Sequence, residues 1–198
     1  PEKGDIEIDN KILSAYTEEE IDSMISIIYQ NMEFENEGNI HDILDQVRNS
    51  NPNASLLPSV RQMAEDFNVT MCLGRGLKSI SKGELQRIII IMSLLYGAKI
   101  ILMDEPVFAL HPADGEAVFK ILREYQIRHN IIVIFIVHLF EFTDKYADHV
   151  IFIGKKGKIE KYSLSTINLR EKIEEFYEAP YTMLKQKETL TEMMKYRL

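Results

Sequence analysis

An α/β fold with a parallel sheet and a helical C-terminal tail is predicted for this chain of 198 residues. The main observation is a set of short apolar runs that do not alternate with polar residues, at 100–103, 131–137 and 150–153. Runs of this kind, separated by helix-length segments, are typical of parallel strands that are covered on both faces. A second observation is a capped and almost wholly apolar helix that precedes the first run.

The N-terminal part mixes strand and helix patterns. Residues 5–14 alternate apolar and polar side chains and predict one half-buried strand. Residues 24–29 predict a second strand. Residues 38–73 have a helical pattern, which is interrupted around Pro52 and again at Pro58.

Ser81 and Glu84 have the Ser-x-x-Glu spacing of a capping box, so we expect a helix from this point to about Tyr96, closed by Gly97. The helix is apolar nearly all round and should be buried. Its free N–H groups and positive dipole end could also bind an anion. From the capping box alone, a simple helix start would be the better interpretation.

The second half of the chain predicts further helices, a hairpin turn and a tail. The predicted elements are helices at about 114–129 and 139–147, a turn at 154–157, and tail helices at about 166–178 and 182–197. Ala179-Pro180 forms the hinge between the tail helices. The tail could be a dimerisation element, a regulatory appendage or a flap over the protein's own apolar surface.

Composition excludes some classes of function. The net charge of −8 argues against non-specific binding to nucleic acid or anionic lipid. The longest apolar runs fall short of the ~20 residues that a membrane-spanning helix needs. Cys72 is the single cysteine, which excludes an internal disulfide, fits a reducing cytosol and suggests a small core residue.

Two adjacent carboxylates, Asp104 and Glu105, follow the apolar run 100–103. The carboxyl edge of a parallel sheet is where ligands bind in open α/β folds. An Asp there can hold Mg²⁺, and a neighbouring Glu can orient and polarise a water for attack on a γ-phosphate. A plain strand end is the alternative, but the position about twenty residues after the Ser81 helix start favours the functional interpretation.

The segments Ile80-Ser81-Lys82-Gly83-Glu84, Gln86-Arg87 and Asp104-Glu105-Pro106 together resemble the signature and Walker B motifs of ABC-type ATPases. The resemblance covers about residues 1–163. It implies a P-loop NTPase-like (RecA-like) parallel-sheet core, with a helical subdomain inserted at about 32–90. Residues 164–198 would be a C-terminal helical extension.

The resemblance also implies roles for individual residues. Ser81, Lys82, Gly83 and Glu84 would contact the γ-phosphate of ATP that the opposite subunit holds. Lys82 and Glu84 stand where the family has Gly and Gln, and Glu84 adds a negative charge that could slow or retune anion binding.

Other motifs follow in the family's order. Gln30 resembles the Q-loop glutamine, which reaches the Mg²⁺, and Asp104 would hold the same ion. Glu105 would be the catalytic base, and His138 the switch histidine that contacts the γ-phosphate. Ala109, Leu110 and His111 occupy the D-loop, where His111 replaces an Asp that normally crosses the dimer interface.

A phosphate-binding P-loop, Gly-x-x-x-x-Gly-Lys-Ser/Thr, is absent from this sequence. Only Gly154 and Gly157 are followed by Lys, and neither has a Gly five positions earlier. By the resemblance, the Walker A segment is expected upstream of Pro1, so this chain would be the later part of the domain. We therefore expect these residues alone to bind ATP weakly and to be inactive.

The leading hypothesis is the ATP-hydrolysing subunit of an ABC transporter. It implies Mg²⁺ and ATP as cofactors, and a second ABC ATPase domain and a membrane permease as partners. It also implies a cytoplasmic location, peripheral at the inner face of the membrane, and no nucleic acid.

A first alternative is a non-transport ABC ATPase, although the 50 residues between Gln30 and Ser81 leave no room for a coiled-coil insertion. A second alternative is a non-hydrolysing regulatory or interaction module without a P-loop. It is motivated by His111, by the changed signature residues, and by Leu139, which stands where the family usually has an acid.

Overall fold

The computed structural model describes residues 4–29, 38–107, 109–137, 139–154 and 157–195. The chain consists of two compact units, Pro1–Ile136 and Val137–Leu198. The elements of the first unit are β1 (Glu7–Ile8), β2 (Lys11–Ile12), α1 (Glu18–Met24), β3 (Ile25–Ile28), α2 (Ile40–Ser50), α3 (Val60–Asp66), α4 (Lys82–Tyr96), β4 (Ile100–Asp104), α5 (Pro112–His129) and β5 (Ile132–Ile136). Those of the second are α6 (Phe140–Tyr146), β6 (His149–Ile153), β7 (Ile159–Ser163), α7 (Leu169–Tyr177) and α8 (Tyr181–Lys195).

Residues 5–14 form a hairpin, so the prediction of one continuous strand is wrong. β1 and β2 pair antiparallel, with Glu7 opposite Ile12. Between the strands, Asp9 and Asn10 have φ values of 50° and 63°. Two consecutive residues in the left-handed region are what a tight hairpin turn requires, and Asp and Asn tolerate that conformation better than other side chains.

The central sheet has the order β3-β4-β5, and both pairs are parallel. This confirms the parallel pairing predicted for the runs 100–103 and 131–137, and the separate strand predicted at 24–29 is the third member of the sheet. One face of the sheet packs against α4 and α5. Ser26 Oγ on β3 donates to Ser93 Oγ on α4 at 2.9 Å.

The opposite face of this sheet remains open to solvent. Along β5, Ile132, Ile134 and Ile136 are 49–58% exposed, and Ile27 on β3 is 43% exposed. The sequence predicts a sheet that is covered on both faces, whereas the part of the chain that the structure describes covers only one.

Helix α4 is the centre of the core, as predicted. Its apolar side chains are almost fully buried, namely Ile88, Ile89, Ile90, Ile91, Leu94 and Leu95. At its C-terminal end Gly97 has a φ of 83° and closes the helix in the left-handed conformation. Asn51 Nδ2, which follows α2, donates to the carbonyl oxygens of Leu95 and Tyr96 at 3.3 and 3.0 Å. Two carbonyl oxygens at the end of α4 are therefore satisfied by one side chain at the end of α2.

In the second unit β6 pairs antiparallel with β7. The prediction that residues 150–153 join the parallel sheet is therefore wrong, because β6 and β7 form a separate two-stranded sheet. The predicted hairpin turn is confirmed by a hydrogen bond from Gly154 N to the carbonyl oxygen of Lys158 at 2.8 Å. Phe152 packs with Leu169 and Ile173 of α7, so the predicted tail helices belong to this unit's core.

Candidate functional site

The start of α4 is a complete capping box. Ser81 Oγ accepts a hydrogen bond from Glu84 N at 3.2 Å, and Ser81 N donates to Glu84 Oε2 at 2.7 Å. Ser81 and Lys82 are exposed, while Gly83 and Glu84 are half-buried. The turn that resembles the signature motif is therefore held rigidly, with Ser81 and Lys82 at the surface.

The Glu84 carboxylate lies among groups that favour its charged form. The hydrogen bond from the Ser81 backbone N–H, supported by the Cys72 thiol and the Arg75 guanidinium, lowers the pKa of Glu84 from 4.5 to about 2. Arg75 Nη1 is 3.9 Å from Glu84 Oε1. Burial, followed by the hydrogen bond to Glu84, raises the pKa of the Cys72 thiol. Glu84 therefore carries a full negative charge at neutral pH, partly balanced by Arg75.

Gly83 lies against Ala109 and Leu110, in the segment that resembles the D-loop. A Cβ at Gly83 would be 3.0 Å from the carbonyl oxygen of Ala109 and 3.4 Å from Leu110 Cδ2. Arg87, one turn further along α4, donates from Nε to the Gly83 carbonyl oxygen at 3.3 Å. Its Nη1 forms an ion pair with Asp114 in the first turn of α5 at 3.7 Å. The start of α4 and the segment leading into α5 therefore form one packed group.

His111 has a structural role at the start of α5. It occupies the N-cap position, and its Nδ1 accepts a hydrogen bond from Ala113 N at 3.4 Å. Pro112 is the first residue of the helix, where its missing N–H costs nothing. His111 thus fills the capping role that an Asp would normally fill more strongly.

Asp104 and Glu105 lie at the carboxyl end of β4. Asp104 is exposed and pairs across the sheet with Ile136 of β5. Glu105 N donates to the Ile136 carbonyl oxygen at 3.0 Å, and Glu105 has a φ of 49°. A non-glycine residue in this region is strained and is often found at functional sites. The acid pair is thus at the predicted sheet edge, on a backbone that the neighbouring strand holds in place.

Asp104 suits Mg²⁺ of the kind that bridges a nucleotide. Such ions take one or two carboxylates and fill their other positions with water and phosphate oxygens. An exposed carboxylate at a strand end can supply one such ligand. Further protein ligands are not needed, because water and phosphate oxygens fill the other positions. Among the residues that the structure describes, no group of three or more His, Cys, Asp or Glu side chains is arranged to hold a metal.

Gln30 and His138 lie outside the described residues, so their predicted roles stay predictions. Two neighbours of the signature turn were missed by sequence reasoning, namely Arg75 and Cys72. Both come from the loop before α4, which resembles an ordinary connection in the sequence. The only signal in the sequence was that a positively charged residue, Arg75, precedes Glu84 within the same short segment, and that Glu84 stands where the family has Gln.

The sequence model of the family described as "ABC transporter" matches residues 1–108. This range includes the start of α4 and the acid pair, and it is more than half of the chain. The chain therefore belongs to the ABC transporter family, and the part of that family it represents is the ATP-binding domain.

Curated relatives are similar over about half of this chain. The "Phosphonates import ATP-binding protein PhnC" of Treponema denticola is 34% identical over 95 residues, covering 48% of this chain and 35% of the relative. The chain thus matches about a third of that relative's length.

Solved structures share the fold at low identity. A bacterial Atm1-family ABC exporter with ATP bound has a TM-score of 0.73 at 17% identity, covering 94% of this chain and 32% of that chain. A model of ribosome-bound archaeal Pelota and ABCE1 has a TM-score of 0.63 at 22% identity, covering 77% of this chain and 26% of that chain. Within the described residues, no helix has the length and hydrophobicity to cross a lipid bilayer.

Proposed function

We propose that this chain is part of the ATP-binding and ATP-hydrolysing subunit of an ABC transporter, driving substrate movement through a membrane permease. The observation that carries the proposal is the family match over residues 1–108, which contains both the capped start of α4 and the acid pair after β4. The transport role is supported by the import function in the name of the curated relative.

The proposed chemistry uses the acid pair. Asp104, together with Gln30, would hold Mg²⁺, and the ion would supply positive charge to offset the charge of the ATP phosphates. Glu105 accepts the proton of the attacking water while the water oxygen bonds to the γ-phosphorus and the bond to the bridging oxygen of ADP breaks. His138 contacts the γ-phosphate and helps to hold that water.

The start of α4 serves the opposite subunit in this proposal. Ser81 offers a hydroxyl group, Gly83 offers a backbone N–H group, and the exposed Lys82 adds a positive charge. Two such domains enclose two ATP molecules, and the partner domain is either a second copy or a related chain. The assembly is cytoplasmic and docks on its permease at the inner face of the membrane.

The test is ATP turnover by the complete protein with and without Glu105→Gln. The substitution keeps the size of the side chain but removes the base, so we expect turnover to fall by at least about 100-fold while ATP binding remains. Ile121→Val, on the outer helix α5, is a control that should leave turnover unchanged. Unaltered turnover in Glu105→Gln would reject Glu105 as the base.

A non-hydrolysing module is the second candidate, favoured by His111 at the D-loop position and by Glu84 in the signature turn. It predicts ATP binding or partner binding without phosphate release. The same turnover measurement on the unaltered complete protein separates the two candidates.

A further inference from the structure

The tail helix α8 places a buried acid at the start of α6. Glu188 Oε1 accepts a hydrogen bond from Phe140 N at 2.7 Å, although the two residues are 48 positions apart in sequence. The Glu188 side chain is only 4% exposed. A carboxylate buried to this extent needs partners, because removing it from water is costly.

A cation on the same helix provides the charge partner. Lys185 Nζ lies 3.0 Å from Glu188 Oε2 and 2.9 Å from Oε1 of Glu141 on α6. Although burial opposes it, hydrogen bonding to Glu141 and Glu188 raises the pKa of Lys185. One lysine therefore connects the acid on α8 with an acid in the first turn of α6.

Helix α6 cannot cap itself. Its N-cap residue is Leu139, which has no side-chain oxygen and makes no capping hydrogen bond. The first N–H groups of a helix need an acceptor, and here Glu188 provides it from outside. Apolar contacts support the same junction, since the Phe140 and Tyr181 rings are 5.8 Å apart. The tail thus determines where α6 begins.

We propose that Glu188 is a positioning residue for ATP turnover, and that the C-terminal tail acts by fixing the backbone that immediately follows His138. The inference rests on the proposed function, which assigns the γ-phosphate contact to His138. It gives the tail a role in the chemical step, rather than in dimerisation or in simple covering of apolar surface. Since Glu188 acts on geometry and touches no nucleotide, its loss should reduce kcat more than it changes the KM for ATP.

The test compares variants of the complete protein. Glu188→Ala removes the acceptor, and we expect kcat to fall about tenfold with the KM for ATP unchanged within about twofold. Glu188→Gln keeps an acceptor oxygen and should recover most of the loss. The matched control is Glu174→Ala, because Glu174 Oε1 also accepts a backbone hydrogen bond at 2.7 Å, but from Tyr181 at the start of α8. The control should keep a near-normal kcat.

Amide hydrogen exchange gives a second measurement that does not depend on ATP. Glu188→Ala should speed exchange at Phe140 N–H while Phe152 N–H in β6 stays protected, which also shows that the unit remains folded. Loss of protection at Phe140 with an unaltered kcat would overturn the positioning role, as would equal loss of kcat in the Ala and Gln variants.

Glu105→Gln in the same series tests the proposed function separately. If it abolishes turnover while Glu188→Ala does not lower kcat, the ATPase assignment stands and this inference falls. If the unaltered complete protein hydrolyses no ATP, both fall together.

Discussion

Gly83 and Ala109 lie against each other where the start of α4 meets the segment before α5, and a Cβ at Gly83 would be only 3.0 Å from the Ala109 carbonyl oxygen. A methyl group there would press on a backbone oxygen, which cannot move as freely as a side chain. The start of α4 and residues 109–110 therefore pack too closely to admit a side chain at Gly83 without displacement of one of them.

Gly83→Ala tests this junction. We expect a loss of about 1–2 kcal/mol in the free energy of unfolding because of overpacking, together with reduced ATP turnover in the complete protein. Urea unfolding and phosphate release measure the two effects. Gly74→Ala is the control, since a Cβ at Gly74 meets nothing within 4 Å, and its stability should change by less than about 0.5 kcal/mol.

Gly97→Ala should be more damaging. Its φ of 83° disfavours any side chain, and a Cβ would lie 2.0 Å from Asn51 Nδ2, which caps the last turn of α4. We expect a loss of about 2–4 kcal/mol in urea unfolding. Gly157→Ala separates the two causes, because its φ of 74° is similar but its surroundings are open, so only about 1–2 kcal/mol should be lost. If Gly97→Ala and Gly157→Ala lose the same free energy of unfolding, the Asn51 side chain moves away from the new methyl group without a measurable cost in stability.

His111→Asp should stabilise the protein. Asp is a better N-cap than His and places a negative charge at the positive end of α5, so we expect a gain of about 0.5–1 kcal/mol. His111→Ala removes the 3.4 Å hydrogen bond to Ala113 N and should cost a similar amount. Thermal unfolding of the three proteins gives the order. A destabilised Asp variant would mean that His111 makes some contact that its capping role does not explain.

Glu84 should make stability depend on acid pH. Its pKa is lowered in the folded protein, from 4.5 to about 2, so its contribution is present above about pH 4.5 and is lost as the pH falls towards 2. We expect about 1–2 kcal/mol to disappear over this interval, a value reduced for a side chain that is 27% exposed. Urea unfolding at several pH values measures it. Glu84→Gln can still cap Ser81 but does not titrate, so its stability should change less over the same interval.

The open face of the sheet should promote self-association of these 198 residues. Ile134→Thr removes apolar surface from the centre of the exposed row and should lower the fraction of oligomers in light scattering, with a stability change below about 0.5 kcal/mol. Ile101→Thr makes the same chemical change on the covered face, where Ile101 is 0% exposed, and should cost about 2–3 kcal/mol. Similar stability losses in both variants would contradict the assignment of the two faces.

The sequence predicted the elements with strong local signals. The Ser81 capping box and Gly97 bounded α4 correctly, because both ends of that helix are determined by residues within a few positions. Two strands of the parallel sheet were recognised by short apolar runs rich in β-branched residues, which favour a strand over a helix when the run is only four to seven residues long. The acid pair was placed correctly at the sheet edge because it directly follows such a run.

The wrong predictions concern strand pairing and long-range contacts, which the local sequence pattern does not determine. Residues 150–153 have the same apolar character as β4, yet they pair with the strand that returns to them. The alternation of apolar and polar side chains in residues 5–14 correctly indicated strand structure, but a turn at Asp9 and Asn10 splits the segment into two short strands. Glu188 accepts a hydrogen bond from a backbone N–H that is 48 positions away, and a single sequence contains no signal for such a pair.

Cys72 has a practical consequence. It is the only thiol in these 198 residues, it is 1% exposed, and it lies beside the carboxylate that caps α4. Because the thiol is buried, a maleimide can react with it only when the protein opens locally around it. The rate of its alkylation would therefore report, without any engineered label, how often the structure around the start of α4 opens.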